Sequence, residues 1–365
     1  MTSVTIVSAF ATMGGSEQWI LQILDRAQGR LDPRFVVLQD GPFVAAIRSR
    51  GIPVQVLPTG ARPWHIMSAG RQVRRLLAAD PPDVIVGNGV KAMLVGMPAA
   101  RSLKIPSVWV KHDHSFDRIV ARPLGRTVTT VVATAAEVGA PTGRTDLVVV
   151  EPPRPPDPLP IEEARAGLAE RGVTPTSPTV AMISRLVPYK GVDVAIEALA
   201  AAPEWQLLVI GGNDASSPHE RDRLQDLAYR QGVAQRVVFA GEIPAAGRYL
   251  AAVDVLTVQT RPDGGRNAPT KEGYGIVATE AMLAGVPVIM AGEGPIATRL
   301  ATPDGPAGIV VPQSDPTATA DALRRLADPA VRHRMGLAGQ RAARDHPDEQ
   351  AVADQVVVAI LEAAR

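Results

Sequence analysis

The chain reads as α/β throughout, with two doubly wound parallel sheets joined by one linker. Three observations predict this. Short apolar runs alternate with amphipathic stretches from end to end, a proline-dense segment interrupts the alternation, and the alternation then restarts. A length of 365 residues exceeds one ordinary core, in keeping with two domains.

In the first half, residues 4–8, 35–38, 84–86 and 107–110 are buried-strand runs. Residues 16–28 place Trp19, Ile20, Ile23, Leu24 and Ala27 on one helical face, with Gly29 as C-cap. Strand and helix in alternation imply right-handed crossovers and a sheet covered on both faces. Residues 151–160, Glu-Pro-Pro-Arg-Pro-Pro-Asp-Pro-Leu-Pro, exclude helix interior and sheet ladder alike and read as a stiff linker. Residues 179–183, 206–210, 236–239, 255–258, 286–290 and 308–311 form the second set of strands, with helices expected at 193–201 and 219–231. A last amphipathic helix spans 348–365, its acidic residues favourably placed in the first turn. The expected division is therefore 1–150, a linker at 151–160, 161–346, and a closing segment 347–365. Ligands of such sheets bind at strand carboxyl ends, here expected in a cleft faced by the two domains.

Composition narrows the function. Basic and acidic residues nearly balance, 38 against 37, so no nucleic-acid groove is advertised. The cluster Arg71-Gln-Val-Arg-Arg75 suits either a solvated helix face or a weak peripheral contact with an acidic membrane surface. Cysteine is absent, which removes disulfides, thiolate metal sites and thiol nucleophiles. The first residues enter a strand without a basic or apolar leader, and no apolar run reaches ~18 residues, so a cytoplasmic enzyme is expected.

Four places carry chemistry. Glu272 and Glu280 flank Gly273 and Gly275, where a flexible turn leads into a helix and then a buried strand. Glycine lets backbone amides approach a ligand, and the helix start adds unpaired N–H groups. Such a site holds a polyhydroxylated, negatively charged ligand; two solvated helix charges are the alternative. The loop after the first strand offers Gly14 and Gly15 before a helix, a phosphate cradle or a plain tight turn, without the G-x-G-x-x-G spacing of a dinucleotide fold. Arg185 and Lys190 follow the first strand of the second half, a positive pair suited to a diphosphate leaving group. His112 and His114 follow a strand of the first half; a substrate hydroxyl contact, a two-His metal site or a structural role are all open. No Asp-x-Asp pair occurs, which favours a metal-free electrostatic site.

Taken together, Ile183-Ser-Arg185-Leu-Val-Pro-Tyr-Lys190-Gly191-Val-Asp193, Glu272-(x7)-Glu280 and Gly285-Val-Pro-Val resemble the retaining GT-B glycosyltransferases of family 4. The resemblance runs in order along the whole chain. It implies a carboxy-terminal domain that binds a UDP- or GDP-linked sugar and an amino-terminal domain that binds the acceptor, with the closing helix crossing back onto the latter. By position, Arg185 and Lys190 would neutralise the diphosphate, helped by Gly14 and Gly15. Glu272 and the backbone from Gly273 through Tyr274 and Gly275 to Ile276 would hold the sugar, and Glu280 the ribose. Gly241 and Ile243 fall in the base-contacting segment. His112 matches the histidine near the sugar, while His114 and Arg118 are candidate acceptor contacts. The implied reaction is metal-independent hexosyl transfer with retention, without cofactor. A nucleotide-sugar 2-epimerase and a catalytically weak nucleotide-sugar-binding subunit are the rival readings. Two departures stand out: Glu151-Pro-Pro-Arg-Pro-Pro replaces the Asn-Gly-Val-Asp turn of many relatives, and residues 261–271 form a long glycine-rich loop, a lid or a connector. Acceptor, donor base, sugar and oligomeric state stay open.

Overall fold

Val- and Ile-rich runs become parallel strands in both halves of the chain, because a strand covered on both faces must be apolar on both. The computed structural model describes residues 1–60, 62–175, 178–262 and 271–365. These divide into two units, residues 1–153 with 347–365, and residues 154–346.

In the first unit the strands are β1 (Thr2–Ser8), β2 (Leu31–Val37), β3 (Val54–Val56), β4 (Val84–Asn88), β5 (Ser107–Lys111), β6 (Thr130–Ala133) and β7 (Val148–Val149), in the order β3-β2-β1-β4-β5-β6-β7. Every pairing is parallel. The order reverses between β1 and β4, so their following loops diverge and leave a crevice at the carboxyl ends. The closing helix Glu349–Ala363 completes this unit. Asp348 caps it, accepting the Ala351 amide at 2.7 Å. Val352, Ala353, Val356, Val357 and Ile360 are buried with Val4, Ile6, Val84, Val108 and Val132 in one apolar cluster. Ion pairs Arg26–Glu349 and Arg30–Asp354, both 2.5 Å, lie partly exposed at its margin. Pairs of that kind contribute little; the apolar face holds the helix.

The second unit contains β8 (Thr179–Ile183), β9 (Gln206–Ile210), β10 (Val237–Gly241), β11 (Val255–Val258), β12 (Val288–Ala291), a short hairpin of β13 (Ala301–Thr302) and β14 (Gly305–Pro306), and β15 (Gly308–Val311). Its main sheet runs β10-β9-β8-β11-β12-β15 and is parallel throughout. Its switch point lies between β8 and β11. Residues 151–160 form neither helix nor strand, and from Arg154 onward they belong to this unit. Prolines remove most donors there, but the Leu159 amide donates to the Arg248 carbonyl at 2.8 Å and its side chain packs on the core.

Small residues let one helix seat deeply. On helix Pro329–Arg344, a Cβ at Gly336 would lie 2.0 Å from the Gly285 carbonyl oxygen, so this backbone presses directly on the turn that ends helix Ile276–Leu283. That contact fixes the helix carrying Glu280.

Candidate active site

Beyond the carboxyl ends of β8 and β11, three side chains of the second unit converge. Lys190 Nζ lies 2.7 Å from Glu272 Oε2, and the Thr260 hydroxyl donates to the same oxygen at 2.5 Å. Burial opposes charge on Glu272, but Lys190, the Thr260 hydroxyl and the Gly273 amide outweigh it and hold the carboxyl below its ordinary value. Glu272 is therefore an ionised, anchored carboxylate. Gly275, at φ +71°, caps helix Ile276–Leu283, and a Cβ there would sit 2.3 Å from Ile296 Cδ1; glycine alone fits.

Glu280 sits in a different environment. Its carboxyl group lies against Gly247, whose added Cβ would meet Glu280 Cδ at 2.1 Å, and burial pushes its pKa up to about 6. Among the described residues no hydrogen bond or ion pair to its side chain is present. A largely buried carboxylate without a partner is ready for hydroxyl donors from outside the chain.

Arg185 and Lys190 do not share one contact. Arg185 pairs with Asp214, donates to the Tyr189 hydroxyl at 2.8 Å and keeps 63% side-chain exposure. Its head remains accessible to an anion, whereas Lys190 is already committed to Glu272. Arg261 is anchored on buried Asp193 at 2.5 Å; residues 263–270 of the expected lid lie outside the described residues. Gly241 adopts φ +73° and its carbonyl accepts the Gly211 amide at 2.8 Å. Ile243 is buried in the core, so only its backbone is left to meet a ligand. Tyr274 is likewise turned inward: its ring lies 3.8 Å beneath the Arg299 guanidinium carbon and its hydroxyl is 3.2 Å from His346 Nδ1.

In the first unit the carboxyl ends of β1, β4 and β5 are linked through Asn88. Asn88 Nδ2 donates to Ser8 Oγ at 3.3 Å and to the Ser16 carbonyl at 3.5 Å, while its Oδ1 lies 2.7 Å from His112 Nε2. A carbonyl only accepts, so the amide oxygen is the end facing the histidine, and Nε2–H donates to it. Burial lowers the His112 pKa to about 4, with Asp113 raising and Lys111 further lowering it, so the imidazole is neutral near pH 7. Nδ1 is then left as an acceptor. The Trp19 ring meets His112 edge-on at 5.2 Å and fixes its plane.

The neighbouring candidates sit in other surroundings. His114 is buried and held by Asp117 at 2.9 Å, and Lys111 Nζ lies 2.6 Å from the other oxygen of Asp117. His114 thus sits in a buried polar cluster with Asp117 and Lys111, while Arg118 is exposed. The two histidines face different partners, and among the described residues no group of three or more His, Asp or Glu converges as metal ligands. Gly14 and Gly15 do open helix Gly15–Arg26, but the Glu17 carboxylate folds back to 2.8 Å from where a Gly14 Cβ would lie. The chain's own acid stands at that helix start. Thr260 and Asn88 were missed by sequence reading, yet each is a polar residue just past or at the end of a buried strand run, which is the signal that exposes them.

Residues 168–342 match the family Glycosyl transferases group 1, and residues 14–145 match the Glycosyl transferase 4-like domain. The GDP-mannose-dependent alpha-(1-6)-phosphatidylinositol monomannoside mannosyltransferase of Mycolicibacterium smegmatis is 37% identical over 200 residues, 52% of this chain and 48% of that protein. The D-inositol 3-phosphate glycosyltransferase of Acidothermus cellulolyticus is 34% identical over 161 residues, 42% of this chain and 34% of that protein. The chain thus spans half or less of the length of these two relatives. Anabaena HepE in complex with UDP-glucose superposes with a TM-score of 0.79 at 21% identity, over 99% of this chain and 100% of that one. Sucrose-phosphate synthase from Thermosynechococcus elongatus gives 0.77 at 21% identity, over all of both chains. At that identity the likeness shows the fold.

Proposed function

This chain belongs to the GT-B glycosyltransferases of family 4, and from that premise we propose that it moves a sugar from a nucleoside diphosphate to an acceptor, with retention and without a divalent metal. The observation that carries the reading is the anchored Lys190–Glu272–Thr260 cluster at the ends of β8 and β11, with the exposed head of Arg185 following β8. Arg185 and Lys190 supply the positive charge that a diphosphate leaving group needs. Ionised Glu272 and the amides from Gly273 to Gly275 accept from and donate to the sugar hydroxyls, and Glu280 takes the ribose. The backbone from Gly241 to Ile243 meets the base, and neutral His112 accepts a hydrogen bond from a substrate hydroxyl at Nδ1. The acceptor oxygen bonds to the anomeric carbon on the face from which the diphosphate departs. The broken C–O bond's electron pair goes to the diphosphate, whose oxygen takes the acceptor proton.

The donor base is either uracil or guanine. The solved neighbour carries UDP-glucose, whereas the curated relative is named as GDP-mannose-dependent. Incubating the purified chain with UDP- and GDP-sugars and an acceptor panel, with the product's anomeric configuration read by NMR, tests the reading. An α-linked product from an α-linked donor supports it; inversion, or 2-epimerised donor without transfer, overturns it.

A further inference from the structure

Helix Pro63–Ala79 buries Ala69, Gly70, Val73 and Leu77 and turns its other face outward. That outer face carries Trp64 and Met67 at 58% and 59% exposure, followed by exposed Arg71, Arg74 and Arg75. At 100° per residue these five fall within roughly one third of the helix circumference. The helix holds no Asp or Glu. Arg62 extends the basic character, its guanidinium carbon 5.2 Å from the Trp64 ring centre. Arg74 Nε donates to Ser102 Oγ at 3.1 Å, tying the face to helix Val90–Leu103, where Arg101 and the following Lys104 are also exposed.

We propose that this face docks on an anionic lipid surface, independently of the donor reading. A purely solvated face would not expose an indole and a thioether side by side. Those two side chains suit the headgroup–acyl boundary, and the arginines suit anionic headgroups. Among the described residues no helix is long and apolar enough to cross a membrane, so the contact is peripheral.

Co-sedimentation with vesicles tests this, using phosphatidylcholine alone and phosphatidylcholine mixed equally with phosphatidylglycerol. The chain should partition onto the mixed vesicles and come off as salt rises. The triple variant Arg71→Gln/Arg74→Gln/Arg75→Gln should lower partitioning on the order of a hundredfold. Trp64→Ser/Met67→Ser should weaken it while keeping the salt dependence. Circular dichroism melts show whether the variants, all at exposed positions, remain folded. Equal binding to both vesicle types, or an unchanged triple variant, overturns the proposal. So does a concentration-dependent dimer that Trp64→Ser dissolves in the absence of vesicle binding, because the face would then belong to a second copy.

Discussion

Lys190 and Glu272 are useful because each holds the other ready: the ammonium keeps the carboxylate ionised, and the carboxylate fixes where the ammonium sits. Removing either cation from a diphosphate site costs about 2–4 kcal/mol, so Lys190→Ala and Arg185→Ala should each lower transfer by about a hundredfold or more. Initial-rate assays check this, and near-normal turnover in both variants would refute the assignment. Lys190→Ala should also raise the Glu272 pKa, since the main force opposing burial is gone. Glu280 behaves in the opposite sense. It binds its proton more tightly folded than unfolded, so stability falls as pH rises from 4.5 to about 6, by about 2 kcal/mol in full. Glu280→Gln should abolish that fall, as denaturant melts between pH 4 and 8 would show. If ribose hydroxyls donate to ionised Glu280, sugar-nucleotide binding tightens as pH rises through about 6 in the wild type and stays flat in Glu280→Gln; titration calorimetry distinguishes the two. Asn88 acts through His112. Asn88→Asp keeps an acceptor facing Nε2–H but adds charge, so the imidazole should protonate at higher pH and the acid limb of the pH–rate profile should move up. An unmoved limb would leave Asn88 a merely structural residue.

Among the elements, the helix bearing Glu280 depends on contacts that composition alone conceals. Gly336→Ala would ordinarily stabilise a helix by about 1 kcal/mol, but here its Cβ meets the Gly285 carbonyl. Overpacking of that kind costs about 1–3 kcal/mol, so the variant should unfold at lower denaturant, and a gain in stability would contradict the packing described. Apolar strands such as β4, β8 and β9 were legible because burial on both faces leaves nearly continuous apolar runs. Strands β3 and β7 were not, because two or three partly exposed residues carry no period. The charges of the site were legible as strand-end and turn residues. Their pairing was not: that Lys190 turns to Glu272 while Arg185 turns to Asp214 depends on rotamers that sequence spacing does not set. His114 illustrates the same limit. Its place after a strand was legible, but its burial and its contact with Asp117, three residues on, were not.

At the scale of the whole molecule, a seven-stranded and a six-stranded sheet of like order, the first with one strand more at its edge and each reversing at one switch point, put polar residues at the carboxyl ends of both. The first unit is not finished until the last helix arrives, since Val352, Val356 and Ile360 fill its core. Ile360→Ala should cost about 2–5 kcal/mol. Hydrogen exchange should show lost protection in β1 and β4, whereas uniform loss across residues 154–346 would deny that the helix belongs to the first unit. The repeated strand–helix alternation made this architecture readable from sequence, and the proline segment marked its interruption; that the second half of that segment docks through Leu159 was not readable, because it rests on one backbone hydrogen bond and the packing of a single side chain. The central claim is that the protein itself, through Arg185 and Lys190, supplies the charge that binds a nucleoside diphosphate. Calorimetric titration of the wild type, Arg185→Ala and Lys190→Ala with UDP and GDP, after exhaustive chelation, tests it most directly. The account predicts saturable binding of one nucleotide by the metal-stripped wild type and affinity reduced about a hundredfold in either variant. Binding that appears only when a divalent ion is restored, or that both variants retain in full, would contradict it.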